Sequence, residues 1–114
     1  MFVVIYTPGP AWQTVKTVEE LPFFREHYKY MKQAFAARQL LMGGPFLDNQ
    51  GALGILDVAS EAQARDIVAH DPFVRERVVE PHLHEWPAYF NQYRVRGTQE
   101  RQADAKEAIG REGG

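Results

Sequence analysis

The spacing of apolar residues changes along the chain, and each change marks a predicted element. Residues 2–6 are all β-branched or aromatic, which predicts a strand that is apolar on both faces. From about Glu19 to Arg38, apolar residues recur every three or four positions, which predicts an amphipathic helix. Its apolar stripe consists of Leu21, Phe24, Tyr28, Met31 and Phe35. Pro22 falls in the predicted first turn, and His27 falls on or beside the stripe, away from solvent.

Two short apolar runs with a turn between them predict a β-hairpin. The runs cover residues 40–46 and 52–58, and the turn-forming sequence Asp-Asn-Gln-Gly lies between them. Glycine interrupts both runs, at Gly43 and Gly44 in the first and at Gly54 in the second. A bare position in a strand often marks the close approach of a backbone or a ligand, so this hairpin is a candidate wall of a binding site.

A second helix and a last strand follow the hairpin. Ser60 and Gln63 have the spacing of a capping box, and Ala64, Ile67 and Val68 form the predicted inner face of the helix. Pro72 disfavours a helical conformation at the residue before it, so the helix should end near His70, with an irregular or helical turn at residues 74–78. Residues 79–86 predict a strand, and Pro81 places it at a sheet edge or a bulge. A turn or short helical cap should follow at residues 87–90.

The predicted order is β-α-β-β-α-β, which is the ferredoxin-like α+β fold with two helices on one face of a four-stranded antiparallel sheet. The other face of the sheet would then be bare, although the strands are apolar on both sides. Soluble proteins avoid large exposed apolar patches, so we expect a homodimer in which two sheets pack face to face as an α+β barrel. The predicted domain covers residues 1–96, and the polar segment 97–114 is expected to be a disordered tail.

The composition excludes several classes of function. Hydrophobic residues make up 45% of the chain and charged residues 25%, with a formal net charge of −2, which gives no reason to expect nucleic acid or an anionic membrane as a partner. The chain has no cysteine, which excludes disulfides, thiolate metal sites and cysteine nucleophiles. No apolar run approaches the roughly 20 residues of a membrane span. The N-terminus lacks a basic segment and a cleavage site, so a cytoplasmic location is expected.

The chain resembles the YCII-related family of dimeric α+β barrel proteins. The resemblance covers about residues 1–90. The matching pieces are Pro8 to Trp12, Glu26 and His27 on the first helix, Gly43-Gly44-Pro45-Phe46, Gly51 after the turn, Asp71-Pro72-Phe73, and Trp86 at the end of the last strand. No single piece is specific, and the resemblance rests on the ordered set at these spacings on a βαββαβ pattern. One departure from the family is the composition of the last strand, with Pro81, His82 and His84.

The resemblance implies a pocket in which a histidine on a helix meets the aspartate of the Asp-Pro-Phe turn. In this sequence these residues are His27 and Asp71. Some relatives in the family act on small, often aromatic, metabolites, including by dehydrochlorination of chlorinated hydroxyquinols, and many have no assigned reaction. The implied role of His27 is that of a general acid/base, and the implied role of Asp71 is to orient its ring.

The chemistry of the two residues is consistent with this role, but each also has a structural interpretation. An imidazole exchanges protons near neutral pH, and a carboxylate on one ring nitrogen fixes the tautomer and stabilises the imidazolium. From the residue types alone, however, His27 is more often a buried histidine with a structural hydrogen bond. Asp71 before a proline is common at helix ends, where it bonds to nearby backbone.

Further candidates line a predicted pocket or hold a metal. The substrate-binding candidates are Trp12, Gly43, Gly44, Pro45, Phe46 and Phe73, and Trp86 is a further aromatic that could line the pocket or belong to the core. Arg25 and Arg38 could bind an acidic substrate, although most surface arginines are simply solvated. His82 and His84 point to one face of the last strand and, with His27 or Asp71, could bind a divalent metal. Their alternative role is that of polar residues on an edge strand or a dimer contact.

These observations lead to one main hypothesis and two rivals. The main hypothesis is a cofactor-independent enzyme that carries out lyase-type or dehalogenating proton transfer on a small metabolite such as a hydroxylated aromatic. The first rival is a non-catalytic module that binds a small ligand or a partner protein. The second is a metal-dependent or oxygen-using enzyme of the same barrel class, with the metal on His82 and His84.

Overall fold

The computed structural model describes residues 1–93. Its elements are strand β1 (Phe2–Pro8), helix α1 (Phe24–Ala36), strands β2 (Leu40–Pro45) and β3 (Ala52–Leu56), helices α2 (Glu61–Ala69) and α3 (Pro72–Arg75), and strand β4 (Val79–Glu85). The sheet order is β2-β3-β1-β4 with antiparallel neighbours, so the predicted ferredoxin-like α+β fold is confirmed. The predicted domain end at residue 96 and the predicted tail at 97–114 lie outside the described residues.

Alternation along β1 divides the sheet into a covered and an open face. Phe2, Val4 and Tyr6 are buried under the helices and belong to the main hydrophobic cluster. Val3 and Ile5 point to the other face, where the side chain of Ile5 is 37% exposed. The covered face therefore supplies the core, and the open face carries apolar side chains that residues 1–93 cover only in part.

Helix α1 begins later than the apolar period predicts. Pro22 forces the residue before it into an extended conformation, and Leu21 has φ −68° and ψ 148°. Phe23 then adopts a left-handed φ of 65°, and the helix starts at Phe24 instead of near Glu19. A 3-10 turn, Val18–Glu20, replaces the predicted first turn of the helix. The prediction that Pro22 lies inside the helix was wrong.

The apolar stripe of α1 is not a uniformly buried face. Leu21 is buried and Phe24 and Met31 are partly buried, but the side chains of Tyr28 and Phe35 are 55% and 61% exposed. The stripe therefore runs from the core outward onto the surface. Sequence periodicity cannot distinguish these cases, because a helix that lines a cavity needs the same apolar spacing as a helix that packs against a core.

The predicted caps of the second helix are present. The Ser60 hydroxyl accepts a hydrogen bond from the Gln63 N–H at 3.2 Å, and the Gln63 side chain accepts one from the Ala59 N–H at 3.1 Å. Helix α2 ends at Ala69, as Pro72 predicts. The chain then starts the short helix α3 with Asp71 as its N-cap residue.

The hairpin and the last strand follow the sequence closely. Strands β2 and β3 are one and two residues shorter than predicted, and β2 has a bulge between Leu40 and Met42. Strand β4 lies at the sheet edge, where a proline is tolerated, and its register with β1 is regular through Pro81. Residues 87–90, predicted as a turn or a helical cap, form no helix. Within residues 1–93, none of the helices is both long enough and apolar enough to pass through a membrane.

Gly51 is the position at which the hairpin approaches β1. It has a φ of 130°, and a Cβ atom there would lie 2.0 Å from the Tyr6 carbonyl oxygen. Only glycine satisfies both conditions, because it has no Cβ and tolerates this φ. The close approach therefore fixes the end of the hairpin against the backbone of Tyr6.

We expect Gly51→Ala to lower the free energy of unfolding by about 2–4 kcal/mol, because the methyl group meets backbone and the φ is strained. Urea titration would measure the change. Gly44→Ala is the matched control: a Cβ at Gly44 meets no atom within 4 Å, so a change below about 0.5 kcal/mol is expected. Equal losses in the two variants would contradict this account.

Candidate active site

Two helix ends bring His27 and Asp71 together. His27 lies in the first turn of α1, where its N–H bonds to the Phe23 carbonyl at 3.0 Å. Asp71 is the N-cap residue of α3, with an extended φ of −65° and ψ of 126° that Pro72 favours. The contact between α1 and α3 therefore places an imidazole from one helix against a capping carboxylate from another.

The predicted contact between these residues is present as a short hydrogen bond. His27 Nδ1 lies 2.7 Å from Asp71 Oδ1, and the same oxygen accepts the Phe73 N–H at 2.9 Å. Asp71 is only 1% exposed, whereas the side chain of His27 is 20% exposed. Because the carboxylate accepts at Nδ1, the neutral imidazole carries its proton there and leaves Nε2 as the acceptor.

Phe73 fixes the plane of the imidazole. The rings of His27 and Phe73 stack with centroids 4.0 Å apart and an interplanar angle of 6°. Phe24 contacts both rings at a tilted angle, with each pair of centroids 6.4 Å apart. Hydrogen bonding at Nδ1 and stacking on the ring face together leave His27 little rotational freedom. Nε2 makes no hydrogen bond to any group of residues 1–93.

His27 forms part of the wall of a cavity of about 560 Å³ between α1, the hairpin and β1. Five of the predicted substrate-binding residues line this cavity, namely Trp12, Gly43, Gly44, Pro45 and Phe73. The lining is largely apolar, and a cavity of this size accommodates a small aromatic molecule. The structure therefore brings the histidine, the glycine-rich strand and the tryptophan loop to one place.

Phe46 and Trp86, predicted as pocket aromatics, do not line this cavity. Phe46 lies just beyond the end of β2, and its N–H bonds to the Gly51 carbonyl across the hairpin turn at 2.9 Å. Trp86 lies in a separate groove with Tyr89 and Ile55. Neither residue therefore belongs to the wall that Trp12, Phe73 and the glycine-rich strand form.

The loop that carries Trp12 is anchored to the end of α3. The Gly9 N–H bonds to the Val78 carbonyl and the Ala11 N–H to the Arg77 carbonyl, both at 2.9 Å. A Cβ on Gly9 would lie 2.5 Å from the Arg77 oxygen, so glycine permits this close approach. The Pro-Gly-Pro sequence thus holds Trp12 at the cavity by backbone contacts rather than by packing alone.

The charged residues of the cavity wall are not the arginines considered from the sequence. Lys32 and Glu19 line the cavity, whereas Arg25 and Arg38 are exposed and lie outside its lining. The Lys32 ammonium lies 5.9 Å from the centre of the Tyr28 ring, a cation–π distance. Tyr28 in turn stacks on Phe24. The exposed part of the α1 stripe is thus one side of the cavity.

Tyr6 also lines the cavity, and sequence reasoning did not identify it as a site residue. It shares a face with Phe2 and Val4, so its pattern is that of a core residue. Burial raises the pKa of Tyr6, and the charge of Asp71 and the phenol of Tyr30 raise it further. The only sequence signal is its position near the end of a strand, where binding residues are common.

Tyr30 is a second phenol affected by the Asp71 carboxylate. Burial raises the pKa of Tyr30, and the charges of Asp71 and Asp66 add to this effect. Its hydroxyl donates a hydrogen bond to the Ile67 carbonyl at 2.6 Å and so joins α1 to α2. Tyr30 is not part of the cavity lining and has a structural partner.

The structure does not bring His82 and His84 together with His27 or Asp71. Register pairs His84 with Val3 and His82 with Ile5, which places both histidines on the open face of the sheet. The His82 Nε2 atom lies 2.9 Å from the Thr7 hydroxyl. Among residues 1–93, no group of three or more histidine, aspartate or glutamate side chains is placed to hold a metal ion.

Fold and geometry define a ferredoxin-like α+β domain with a histidine–aspartate pair at an apolar cavity. The profile of the YCII-related domain matches residues 1–85, and the chain belongs to this family. The comparison with curated proteins gave no match.

A solved structure with a similar fold is 5-chloro-2-hydroxyhydroquinone dehydrochlorinase (TftG) from Burkholderia phenoliruptrix AC1100, in complex with 2,5-dihydroxybenzoquinone. The similarity has a TM-score of 0.57 at 20% sequence identity and covers 75% of this chain and 93% of that chain. At this identity the comparison establishes the common fold.

The raised pKa values of Tyr6 and Tyr30 predict a loss of stability at alkaline pH. A tyrosine with a raised folded-state pKa stabilises the fold fully below its unfolded pKa of about 10, and this contribution is lost as pH rises through the folded value. Tyr6→Phe should therefore make the fall in unfolding free energy above about pH 10 shallower. Urea titrations across this range would measure the slope. The same substitution at exposed Tyr89 is the control, and an equal change there would contradict the assignment.

Proposed function

We propose that this protein is a cofactor-independent enzyme that moves protons on a small hydroxylated aromatic molecule. His27 is the general acid/base and Asp71 is its orienting partner. The observation that carries the proposal is the 2.7 Å hydrogen bond between His27 Nδ1 and a carboxylate that is 1% exposed, at the wall of an apolar cavity. The substrate-binding role of Trp12, Gly43, Gly44, Pro45 and Phe73 belongs to the same proposal.

The hydrogen bond determines which nitrogen reacts. Nδ1 donates to Asp71, so Nε2 can accept a proton from a substrate hydroxyl. The imidazolium that forms is stabilised by the carboxylate behind it, as in hydrolases that pair histidine with aspartate. The same imidazolium can then return the proton to another atom of the substrate. One residue therefore serves as base and acid in turn.

Elimination of hydrogen chloride from a chlorinated hydroquinol is the most concrete reaction of this type. Two hydroxyl protons leave the ring oxygens, and one of them is delivered to the carbon that carries chlorine. Chloride departs with the electrons of the C–Cl bond, and the second proton goes to solvent. The product is a quinone, and the reaction needs no external oxidant or reductant. His27 relays the proton from oxygen to carbon.

The structural interpretation of the pair explains less of the geometry. Asp71 Oδ1 already caps α3 through the Phe73 N–H, so the helix end does not require His27. The other oxygen, Oδ2, is buried and takes no hydrogen bond from residues 1–93. Such an unpaired buried oxygen costs roughly 1–3 kcal/mol and is a common feature of functional sites. The TftG structure holds a hydroxylated quinone, which supports the substrate class.

Chloride release from 5-chloro-2-hydroxyhydroquinone and related chlorinated hydroquinols tests the proposal. We expect His27→Ala to lower kcat/KM by about 10²–10⁴-fold, because it removes the proton carrier. Asp71→Asn should lower it by about 10²-fold or more, because the ring loses its tautomer and its counter-charge. His70→Ala is the matched control, since His70 is exposed and bonds to the Asp66 carbonyl at 2.8 Å.

A purely structural His27 gives a different pattern. His27→Ala would then cost roughly 1–3 kcal/mol of unfolding free energy, because Asp71 loses its partner, and turnover would fall only in proportion to the folded fraction. Wild-type protein that releases no chloride from any of these substrates would contradict the dehydrochlorination reaction. Full activity of His27→Ala would contradict the acid/base role for any substrate.

We also infer that two copies pair through their open sheet faces. Ile5 lies at the centre of this face, opposite Leu53 and His82, and Met42 at its edge is 56% exposed. An apolar sheet face of this kind is stabilised when a second sheet covers it. The pairing would make the protein a homodimer and would place His82 and His84 at the contact.

Light scattering coupled to gel filtration would test the pairing. We expect wild-type protein to be dimeric at micromolar concentration and Ile5→Lys to shift it to monomer, because a buried ammonium at the centre of the contact is unpaired. Ala62→Lys places the same charge on the exposed side of α2, in the helix layer, and should leave the dimer intact. A monomeric wild type would overturn the inference.

A further inference from the structure

Tyr6 is a buried titratable group that the proposed mechanism does not use. Its side chain is only 5% exposed, yet it forms part of the same cavity wall as His27 and Phe73. Its hydroxyl makes no hydrogen bond to another group of residues 1–93. A buried phenol usually finds a partner, so the polar end of this side chain lacks the bond that a core tyrosine would normally have.

The backbone around Tyr6 holds the ring in place. Residue 6 lies on the central strand β1, paired with Ala52 on one side and Pro81 on the other. Gly51 packs directly against its carbonyl, where a Cβ would approach to 2.0 Å. A side chain on a strand held from both sides is a rigid element on which to place a binding group.

We infer that the Tyr6 hydroxyl contacts the ligand and donates a hydrogen bond to a ligand oxygen that becomes negatively charged when His27 removes its proton. The inference deepens the proposed function, on which it rests. The cavity then makes two polar contacts with an aromatic ligand. Tyr6 bonds to one ligand oxygen, and His27 faces the proton that is transferred.

The electrostatic surroundings suit Tyr6 to this role. Burial, the Asp71 charge and Tyr30 all disfavour the phenolate, so the group keeps its proton at neutral pH. A phenol that stays protonated donates a hydrogen bond to an oxyanion and does not compete with the ligand for ionisation. Donors aimed at a developing negative charge are among the largest contributions to catalysis in a water-poor site.

Tyr30 provides a matched control of the same residue type. Its phenol is also influenced by Asp71, but its hydroxyl bonds to the Ile67 carbonyl and it does not line the cavity. Tyr6→Phe and Tyr30→Phe each remove one hydroxyl near the same carboxylate. An effect on a ligand oxygen should therefore appear only in Tyr6→Phe, whereas Tyr30→Phe should change stability alone.

The test uses 4-nitrophenol, a phenol whose ionised form absorbs visible light, as a probe of the cavity. Its affinity and its apparent pKa when bound are measured by absorbance titration against wild type and both variants. We expect Tyr6→Phe to weaken binding of the phenolate by about 10-fold or more and to raise the bound probe's pKa by about one unit, because the anion loses a donor. Tyr30→Phe should bind like wild type.

Three results would overturn the inference. The first is phenolate binding to Tyr6→Phe that equals wild type, which leaves the proposed role of His27 in place. The second is a Tyr6→Phe variant in which the NMR titration of His27 changes without ligand, while the affinity and the pKa of the bound probe stay as in wild type. Tyr6 would then act on Asp71 and not on the ligand. The third is no binding of 4-nitrophenol by wild type at millimolar concentration, which would exclude phenols from the cavity.

The proposed function can fail separately. If Tyr6→Phe weakens phenolate binding while His27→Ala changes neither the probe's titration nor chloride release, Tyr6 is a ligand contact in a binding protein. The inference about Tyr6 then stands, and the acid/base proposal is overturned. Loss of phenolate binding in Tyr6→Phe together with loss of turnover in His27→Ala supports both.

Discussion

A carboxylate held out of water at the start of a short helix is the feature on which the site depends. Asp71 is 1% exposed, and its Oδ1 atom receives the Phe73 N–H and the His27 imidazole. A buried charge is tolerated only when hydrogen bonds compensate for lost solvation. The hydrogen bond from the Phe73 N–H supplies part of that compensation, and the hydrogen bond from His27 supplies another part. Burial raises the pKa values of Tyr6 and Tyr30, and the same carboxylate, which bonds to His27, raises them further.

The fold delivers these groups through contacts of the backbone rather than through a large polar network. The Asp-Pro turn starts α3 and positions the carboxylate, and the stacked ring of Phe73 sets the plane of the imidazole. Gly9 lets the tryptophan loop approach the turn between α3 and β4, and Gly51 lets the hairpin approach β1. Apart from the Phe73 stack, each of these features involves a residue with a strong conformational preference of its own, namely proline, glycine or a helix cap. The geometry of the cavity therefore follows from local chemistry that the sequence displays.

This explains why the sequence predicted the elements and the histidine–aspartate contact but not the whole cavity. The repeat of apolar residues every two or 3.6 positions is a local signal, so it predicted the bounds of strands and helices within a few residues. The exception is α1, which starts later because of Pro22. Phe46 follows the last residue of β2 and is absent from the cavity wall, and the sequence pattern does not show where the strand ends. Tyr6 has the pattern of a core residue, since a cavity wall and a core are both apolar. Only the structure shows that Tyr6 lines the cavity and that its hydroxyl has no hydrogen-bond partner within residues 1–93.

The exposed residues of the α1 stripe, Tyr28 and Phe35, form part of the cavity wall. Ala34 is buried and Met31 packs against the core, whereas Tyr28, Lys32 and Phe35 are exposed and line the cavity. Because these three side chains are exposed, substitutions there are expected to change the shape and charge of the cavity wall with little effect on stability. Substitutions there would alter the cavity wall while leaving the hydrogen bond between His27 and Asp71 in place. One helix thus carries two kinds of position. The buried ones are constrained by folding, and the exposed ones beside the cavity are free to change with the molecule that binds.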